Sequence, residues 1–334
     1  MARRRGGRAR RRGKGRARGG GLLRLLLGTR WGRRFVGAVN VVVLGAGTLW
    51  YWQQPVSRQE EIRLLVTNYL RHEKEIEILD LAFDLYQYYY GDEFVATDFN
   101  SPDGPLFGGV PRAAGLPHRV RILENTGYLC GYSDTLRSPV WVAYRLFDKI
   151  GRDSGGERPD GFRVDSRTLA KVHSDEFTRS GFDRGHLAPN FGISRCYGEE
   201  AQLETFLMSN IVPQKHEMNA GLWRFLEERS ALNYAGRFGE VWVITGPVFS
   251  DSPQTIGDGV PVPIACFKIL IDRTEGKFRA QSFLIPQDAK GLGGINQYMV
   301  SIDKLERLTR LDFLAELADD VEAQVEARTP SRPW

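Results

Sequence analysis

The sequence predicts an α+β domain over residues 110–326, preceded by a membrane-spanning helix and a long helical linker. Three observations predict this. Short runs alternate apolar and polar residues between 119 and 148. Later apolar runs pair around a turn, with amphipathic helices set between and after them. An uncharged 18-residue stretch, Phe35 to Trp52, stands near the start.

The elements follow in chain order. Residues 1–34 hold 14 Lys and Arg and no Asp or Glu. Subtracting those 14 from the 46 in the chain leaves 32 basic side chains against 41 acidic, a net of −9 for residues 35–334. The basic character therefore belongs to a low-complexity tail, and any phosphate-binding surface of the folded part must be a local patch. FVGAVNVVVLGAGTLWYW spans ~27 Å as a helix, close to a hydrocarbon core. Trp31 and Trp50 to Trp52 mark its interfaces. Basic residues stay on the cytoplasmic side, which predicts a single-pass protein with a cytoplasmic N-terminus and an extracytoplasmic domain. An organelle inner membrane is the alternative location. A cleaved signal peptide and a buried core helix are the rival readings of the stretch, and its length and bulky aromatic end weigh against both.

Ser57 to Tyr90 reads as helix. Ile62, Leu65, Tyr69, Ile76, Leu79, Phe83, Tyr86 and Tyr90 recur at alternating steps of three and four, with His72 in the gap. Two readings stand side by side: a coiled coil that makes a homodimer, and one amphipathic helix packed on its own domain. Gly91 to Pro117 reads as irregular lead-in. Strands follow across 119–148, and Gly151 to Pro159 is a polar loop. Helices are expected over 200–207 and 218–234, a buried strand over 240–245, a strand pair over 266–271 and 278–285, and a helix over 301–317. Cys130, Cys196 and Cys266 fit neither a zinc spacing nor a disulfide framework, and three buried thiols is the favoured reading.

The chemistry concentrates in Asp183-Arg184-Gly185-His186 and in the run Ser209 to Asn219, which places an asparagine 33 residues after the histidine. Phosphodiester hydrolysis needs an activated water, a cation on the phosphate and a group to take up added charge. His186 is the candidate base, mostly neutral at pH 7. Gly185 lets the backbone bend and a substrate come close. Asn219 offers an oxygen to a hard ion such as Mg²⁺, with Mn²⁺ as a substitute. Glu227, about two helical turns on, reaches that ion's waters from a neighbouring face. Asn210 orders the loop or a water. Arg158, Arg163, Arg184 and Lys215 are the candidate phosphate contacts, and the first two compete for the transition-state role. Plainer roles exist for several: Asn219 as a helix cap, Asp183 as a loop holder, Arg184 as an ion-pair partner. His72, His118, His173 and His216 are expected to be structural.

DRGH followed by SNIVPQKHEMNAGLWRFLEE resembles the DNA/RNA non-specific endonuclease family, over roughly residues 110–320. The resemblance implies the ββα-metal nuclease fold, with a central antiparallel sheet flanked by helices. It implies His186 as general base, Asn219 as the direct Mg²⁺ ligand, Asn210 as the asparagine of the SNxxPQ run, and Trp223 and Glu227 in register on the following helix. Ala220-Gly221 departs from the family's usual Gln-x after the ligand. What the resemblance implies in function is cleavage of both DNA and RNA with little sequence preference, leaving 5′-phosphate ends. The alternative from another class is an inactive, membrane-tethered nucleic-acid-binding or scaffold protein. The net −9 favours that alternative, and the presence of both His186 and Asn219 opposes it.

Overall fold

The computed structural model describes residues 45, 47–71, 78–99, 104–148, 157–274, 276–291 and 294–334. The chain divides into two compact units, Met1–Ile62 and Arg63–Trp334. In the first, residues 47–52 are helical, with Tyr51 and Trp52 edge to face at 5.5 Å. Most of the expected membrane span, 35–44 and 46, lies outside the described residues. Among the described residues no helix is long and apolar enough to cross a membrane.

The expected linker is two described helices, α1 (Val56–Arg71) and α2 (Ile78–Tyr89), with 72–77 outside the described residues. The apolar seam of α2 does not face its domain. Leu79, Tyr86 and neighbouring Tyr90 are exposed, whereas Asp84 and Gln87 are buried. Asp84 accepts from Arg237 at 2.7 Å and from Arg279 at 2.8 Å, so charge pairing, not the seam, fixes which side of α2 turns inward. Arg279 also meets Asp272 at 2.9 Å and Glu93 at 3.3 Å.

The second unit is built on one antiparallel sheet. Its strands are β1 (Val95–Ala96), β2 (Arg121–Glu124), β3 (Leu129–Ser133), β4 (Ser138–Phe147), β7 (Glu240–Val248), β8 (Ala265–Thr274), β9 (Lys277–Pro286) and β10 (Met299–Val300). A separate hairpin supplies β5 (Asp183–His186) and β6 (Ile211–Gln214). The spatial order is β1-β9-β8-β7-β4-β3-β2, with β10 also on β9. Side chains alternate across the sheet, as strand geometry requires. Val241 and Val243 join one core with Tyr144, Leu270 and Trp223, and Trp242 and Ile244 join another with Trp141, Phe267 and Ile269. The sheet therefore separates two cores.

Three expectations change. Gly91 to Pro117 is part of the domain: β1 pairs with β9, and fully buried Phe107 packs on Trp242 and Phe278. The helix expected over 301–317 stops early. α6 (Ile302–Thr309) starts on Ser301, whose hydroxyl accepts from the Lys304 amide, and ends where Arg310 takes a left-handed φ of 57°. Leu311–Asp312 then pairs with Arg112–Ala113, and α7 (Asp319–Glu326) follows. Between Asn190 and Thr205 there are two helices, Asn190–Tyr197 and Glu199–Thr205, where one was expected. All three cysteines are buried free thiols, as expected.

Candidate active site

β5 and β6 run antiparallel, with Asp183 opposite Gln214 and His186 opposite Ile211. The DRGH and SNIVPQ motifs are thus two strands of one hairpin. Gly185 is required here for a reason other than backbone freedom. A Cβ at that position would lie 2.1 Å from Gln214 Oε1, inside the side chain that packs across the hairpin. Helical structure follows at once, through His216–Met218, Asn219–Trp223, Arg224–Glu228, Arg229–Tyr234 and Ala235–Phe238. Two of these segments, Asn219–Trp223 and Arg229–Tyr234, are π-turns, and Gly221 leaves helical geometry in the first (φ −99°, ψ −111°). The first π-turn matters for the site. Eight residues of straight α-helix set two side chains ~80° apart, and one inserted residue cuts that to ~20°. The break at Gly221 resets this phase, and Asn219 and Glu227, which regular helix would have offset, both line one cleft.

A cleft of about 440 Å³ opens at the junction. Its walls include His186, Asn219, Glu227, Arg158, Arg184 and Asn190. His186 packs against two touching rings, with Phe162 at 5.3 Å and Phe206 edge-on at 5.0 Å. Its backbone carbonyl accepts from Trp223 Nε1 at 3.1 Å, which ties the strand to the helix. Its Nε2 is buried with no hydrogen-bond partner. Burial, and then the Arg158 charge, push the imidazole down to about 3, so His186 is neutral across the physiological range.

Asn219 is oriented by Asp183, whose Oδ2 accepts from Asn219 Nδ2 at 3.0 Å. The same oxygen lies 2.8 Å from His216 Nδ1, so His216, expected to have no partner, shares this contact. Because the amide nitrogen is committed to Asp183, Asn219 Oδ1 points away from it. Glu227 Oε1 and Asn190 Oδ1 are buried without partners in the same cleft. Two orphaned oxygens beside an oriented amide oxygen fit a hydrated hard cation, which wants oxygen donors and keeps several waters. Glu227 is backed by Lys268, which is fully buried, 3.0 Å from the Tyr144 hydroxyl and 4.5 Å from the Trp223 ring centre. Burial raises the Glu227 carboxyl to about 7, with Lys268 pulling the other way, and lowers the Lys268 ammonium to about 8.

The other expected residues separate. Arg158 is in the cleft, its guanidinium 5.4 Å from the Phe206 ring centre. Arg163 is not among the residues lining it. That side chain donates to Leu203 O at 3.0 Å, and its backbone brackets Phe206 and Met208. Arg184 lines the cleft but is held by Ser174 and Thr178 through hydrogen bonds, not by an acid. Asn210 is wholly buried and does not reach the cleft. It accepts from the Ala188 amide and donates to the Ala188 and Thr205 carbonyls, fixing the loop that follows His186. Lys215 lies outside the cleft lining, and its backbone amide donates to Gln287. Glu228, half-buried and paired with Arg224 at 2.8 Å, also lines the cleft. Sequence reading missed Asn190 and Lys268. A lone lysine in the apolar run Ala265 to Ile271 was the available signal, because a buried ammonium demands a partner.

The profile described as DNA/RNA non-specific endonuclease matches residues 112–320, which takes in the sheet, the hairpin and the cleft. The chain belongs to the DNA/RNA non-specific endonuclease family. That is a family of nucleases, which hydrolyse phosphodiester bonds. Among curated relatives, a Danio rerio protein named nuclease EXOG, mitochondrial, is 32% identical over 209 residues, 58% of this chain and 60% of its own length. Human endonuclease G, mitochondrial, is 28% identical over 220 residues, 61% of this chain and 72% of its own. A nuclease of Nostoc sp. is 29% identical and covers 64% of this chain and 79% of its own. The fold is also that of a chain in the solved EndoG/EndoGI complex, with a TM-score of 0.55 at 23% identity, over 61% of this chain and 90% of the other. The family's central antiparallel sheet is therefore present, as the resemblance implied. The chain spans 60% of the EXOG relative's length.

An expected result arises directly from the Asp183 contact. Asp183→Ala frees the Asn219 amide to turn, and activity should fall about 10- to 100-fold, the usual cost of losing a partner that orients a metal ligand. Raising the Mg²⁺ concentration should recover part of the loss in a cleavage assay. A loss that no added Mg²⁺ reverses would place Asp183 elsewhere in the chemistry.

Proposed function

We propose that the protein is a metal-dependent endonuclease that hydrolyses DNA and RNA with little sequence preference. The observation that carries this reading is the convergence, in one cleft, of neutral His186, the Asp183-oriented amide of Asn219 and the unpartnered Glu227 oxygen. His186 takes the proton of the attacking water through a ring nitrogen that burial keeps unprotonated. Asn219 would hold Mg²⁺, or Mn²⁺ in its place, through Oδ1, and Glu227 and Asn190 would hold its waters. When bound, the cation neutralises charge on the phosphate and on the leaving 3′ oxygen. Arg158 supplies positive charge to the transition state from the cleft wall, and Arg184 contributes to phosphate binding. A site that grips phosphate and cation does not read base edges, which supports tolerance of both sugars.

The assignment of Arg158 over Arg163 has its own test. Arg158→Gln should lower kcat about 10²- to 10³-fold. It should also move the acid limb of the pH profile upward, because the charge that helps hold His186 down is gone. Arg163→Gln should leave both within about twofold. Equal losses in the two variants would remove the basis for choosing Arg158.

The same proposal includes a single-pass anchor over residues 35–52, with the Arg-rich tail on the cytoplasmic side or, in the alternative, an organelle inner membrane. Its support is the uncharged 18-residue stretch behind 14 basic residues. Extraction of membranes at alkaline pH tests it: the full chain should stay in the pellet, and release into the supernatant would remove the anchor.

A further inference from the structure

A second group of carboxylates lies away from the cleft. Asp303 and Glu306 on α6 and Glu326 on α7 bring one carboxylate oxygen each to within 4.8 Å of one another. Glu326 is only 5% exposed, its carboxylate brings an oxygen within 4.8 Å of the other two, and its Oε1 is buried with no hydrogen-bond partner. Glu306 Oε1 accepts from the Phe313 amide at 2.7 Å, which leaves its second oxygen. Among the described residues no lysine or arginine pairs with any of the three.

Three converging acids without a counter-charge are costly, and two arrangements relieve the cost: protonation or a shared cation. Burial, then repulsion from neighbouring acids, pushes Glu326 up to about 9, and burial, against the Phe313 amide bond, pushes Glu306 up to about 7. A proton-sharing cluster holds its carboxyls in short contacts of ~2.5–2.7 Å, and no hydrogen bond joins these three. Oxygens mutually within 4.8 Å can instead share one common centre no more than ~2.8 Å from each, so a small closing movement brings them to the ~2.3–2.6 Å at which Ca²⁺ takes oxygen ligands. Mg²⁺ fits less well, because it demands shorter contacts and sheds water reluctantly.

We propose that Asp303, Glu306 and Glu326 form a structural site for Ca²⁺, or a cation of like size and hardness, that clamps α6 to α7. The site is independent of the cleft. Ile302, Leu305 and Val325 pack in the core on one face of the sheet, and Leu187, Trp223 and Leu226 pack in the core on the other.

The test is thermal melting of the full chain at pH 8, first in chelator and then with Ca²⁺ added, for wild type, Asn219→Ala, Glu326→Gln and Asp303→Asn. The expected result is a saturable rise in Tm of ~5 °C or more at 100 times Kd. Asn219→Ala should keep that rise, and the two cluster variants should lose it. Asp303→Asn, at a half-buried position, carries the test where Glu326→Gln does not fold. Two results would overturn the proposal. One is a rise lost in Asn219→Ala and kept in the cluster variants, which assigns the ion to the cleft. The other is no response to Ca²⁺ at pH 8, with a chelated protein that becomes more stable between pH 8 and 6, which makes the cluster a holder of protons.

Discussion

His186→Ala should lower kcat on plasmid DNA by about 10²- to 10⁴-fold while the protein stays folded. The imidazole contributes little to the core. It is half-buried, and the hydrogen bond that ties it to Trp223 runs through its backbone carbonyl, which alanine keeps. Far-ultraviolet circular dichroism and Tm should therefore move little, and the rate should carry the effect. The pH profile adds a second reading. The folded imidazole is held at about 3, below its ordinary value near 6.5, so it binds its proton only as the pH falls through the lower value. The acid limb of kcat/KM for free enzyme should accordingly lie below pH 5. A limb centred near 6.5 that persists in Glu227→Gln, whose carboxyl is otherwise held at about 7, would mean that His186 is open to water in the free enzyme. A rate left unchanged by alanine would take the proton transfer away from it.

Arg279→Met should cost about 3–5 kcal/mol. Arg279 is 1% exposed and answers three carboxylates, Asp84, Asp272 and Glu93, while its guanidinium also stacks near Phe94, Phe238 and Trp334. Methionine fills much of the volume and supplies no charge, so Asp272 and Glu93 lose their arginine while buried, and Asp84 keeps only Arg237. At ~2–4 °C per kcal/mol for a domain of this size, Tm should fall by ~6–20 °C. Asp84 comes from α2 and Asp272 and Arg279 from the sheet, so the same change should also loosen α2, read as faster proteolysis between residues 72 and 95. A Tm within 2 °C of wild type would show that the network is no net source of stability.

How far the sequence reached can be argued from particular residues. The strands were legible because Glu240 to Thr245 and the pair around Asp272 to Gly276 are short apolar runs bounded by turns. The DRGH histidine and Asn219 were legible from motif and spacing, and the structure does bring them to one cleft. Other features depend on contacts that no local pattern carries. The break at Gly221 within Asn219–Trp223 changes the phase between Asn219 and Glu227, and helix periodicity cannot announce it. Gly185 looked like backbone freedom, but it is a packing demand set by Gln214, 29 positions away. α2 read equally as a zipper or as a helix packed on its own domain, and its orientation is set by Asp84, whose partners Arg237 and Arg279 lie more than 150 residues on. Arg158 and Arg163 were indistinguishable because both sit in one polar loop, and only the turn toward Phe206 separates them.

The measurement that tests the central claim most directly is cleavage of one plasmid DNA and one structured RNA against Mg²⁺ concentration, for wild type and Asn219→Ala. The account predicts no cleavage in chelator and cutting of both substrates as Mg²⁺ rises. It also predicts a half-saturating Mg²⁺ concentration raised at least about tenfold in the variant, for DNA and RNA alike. Cleavage that persists in chelator, or a variant whose Mg²⁺ dependence matches wild type, would contradict it.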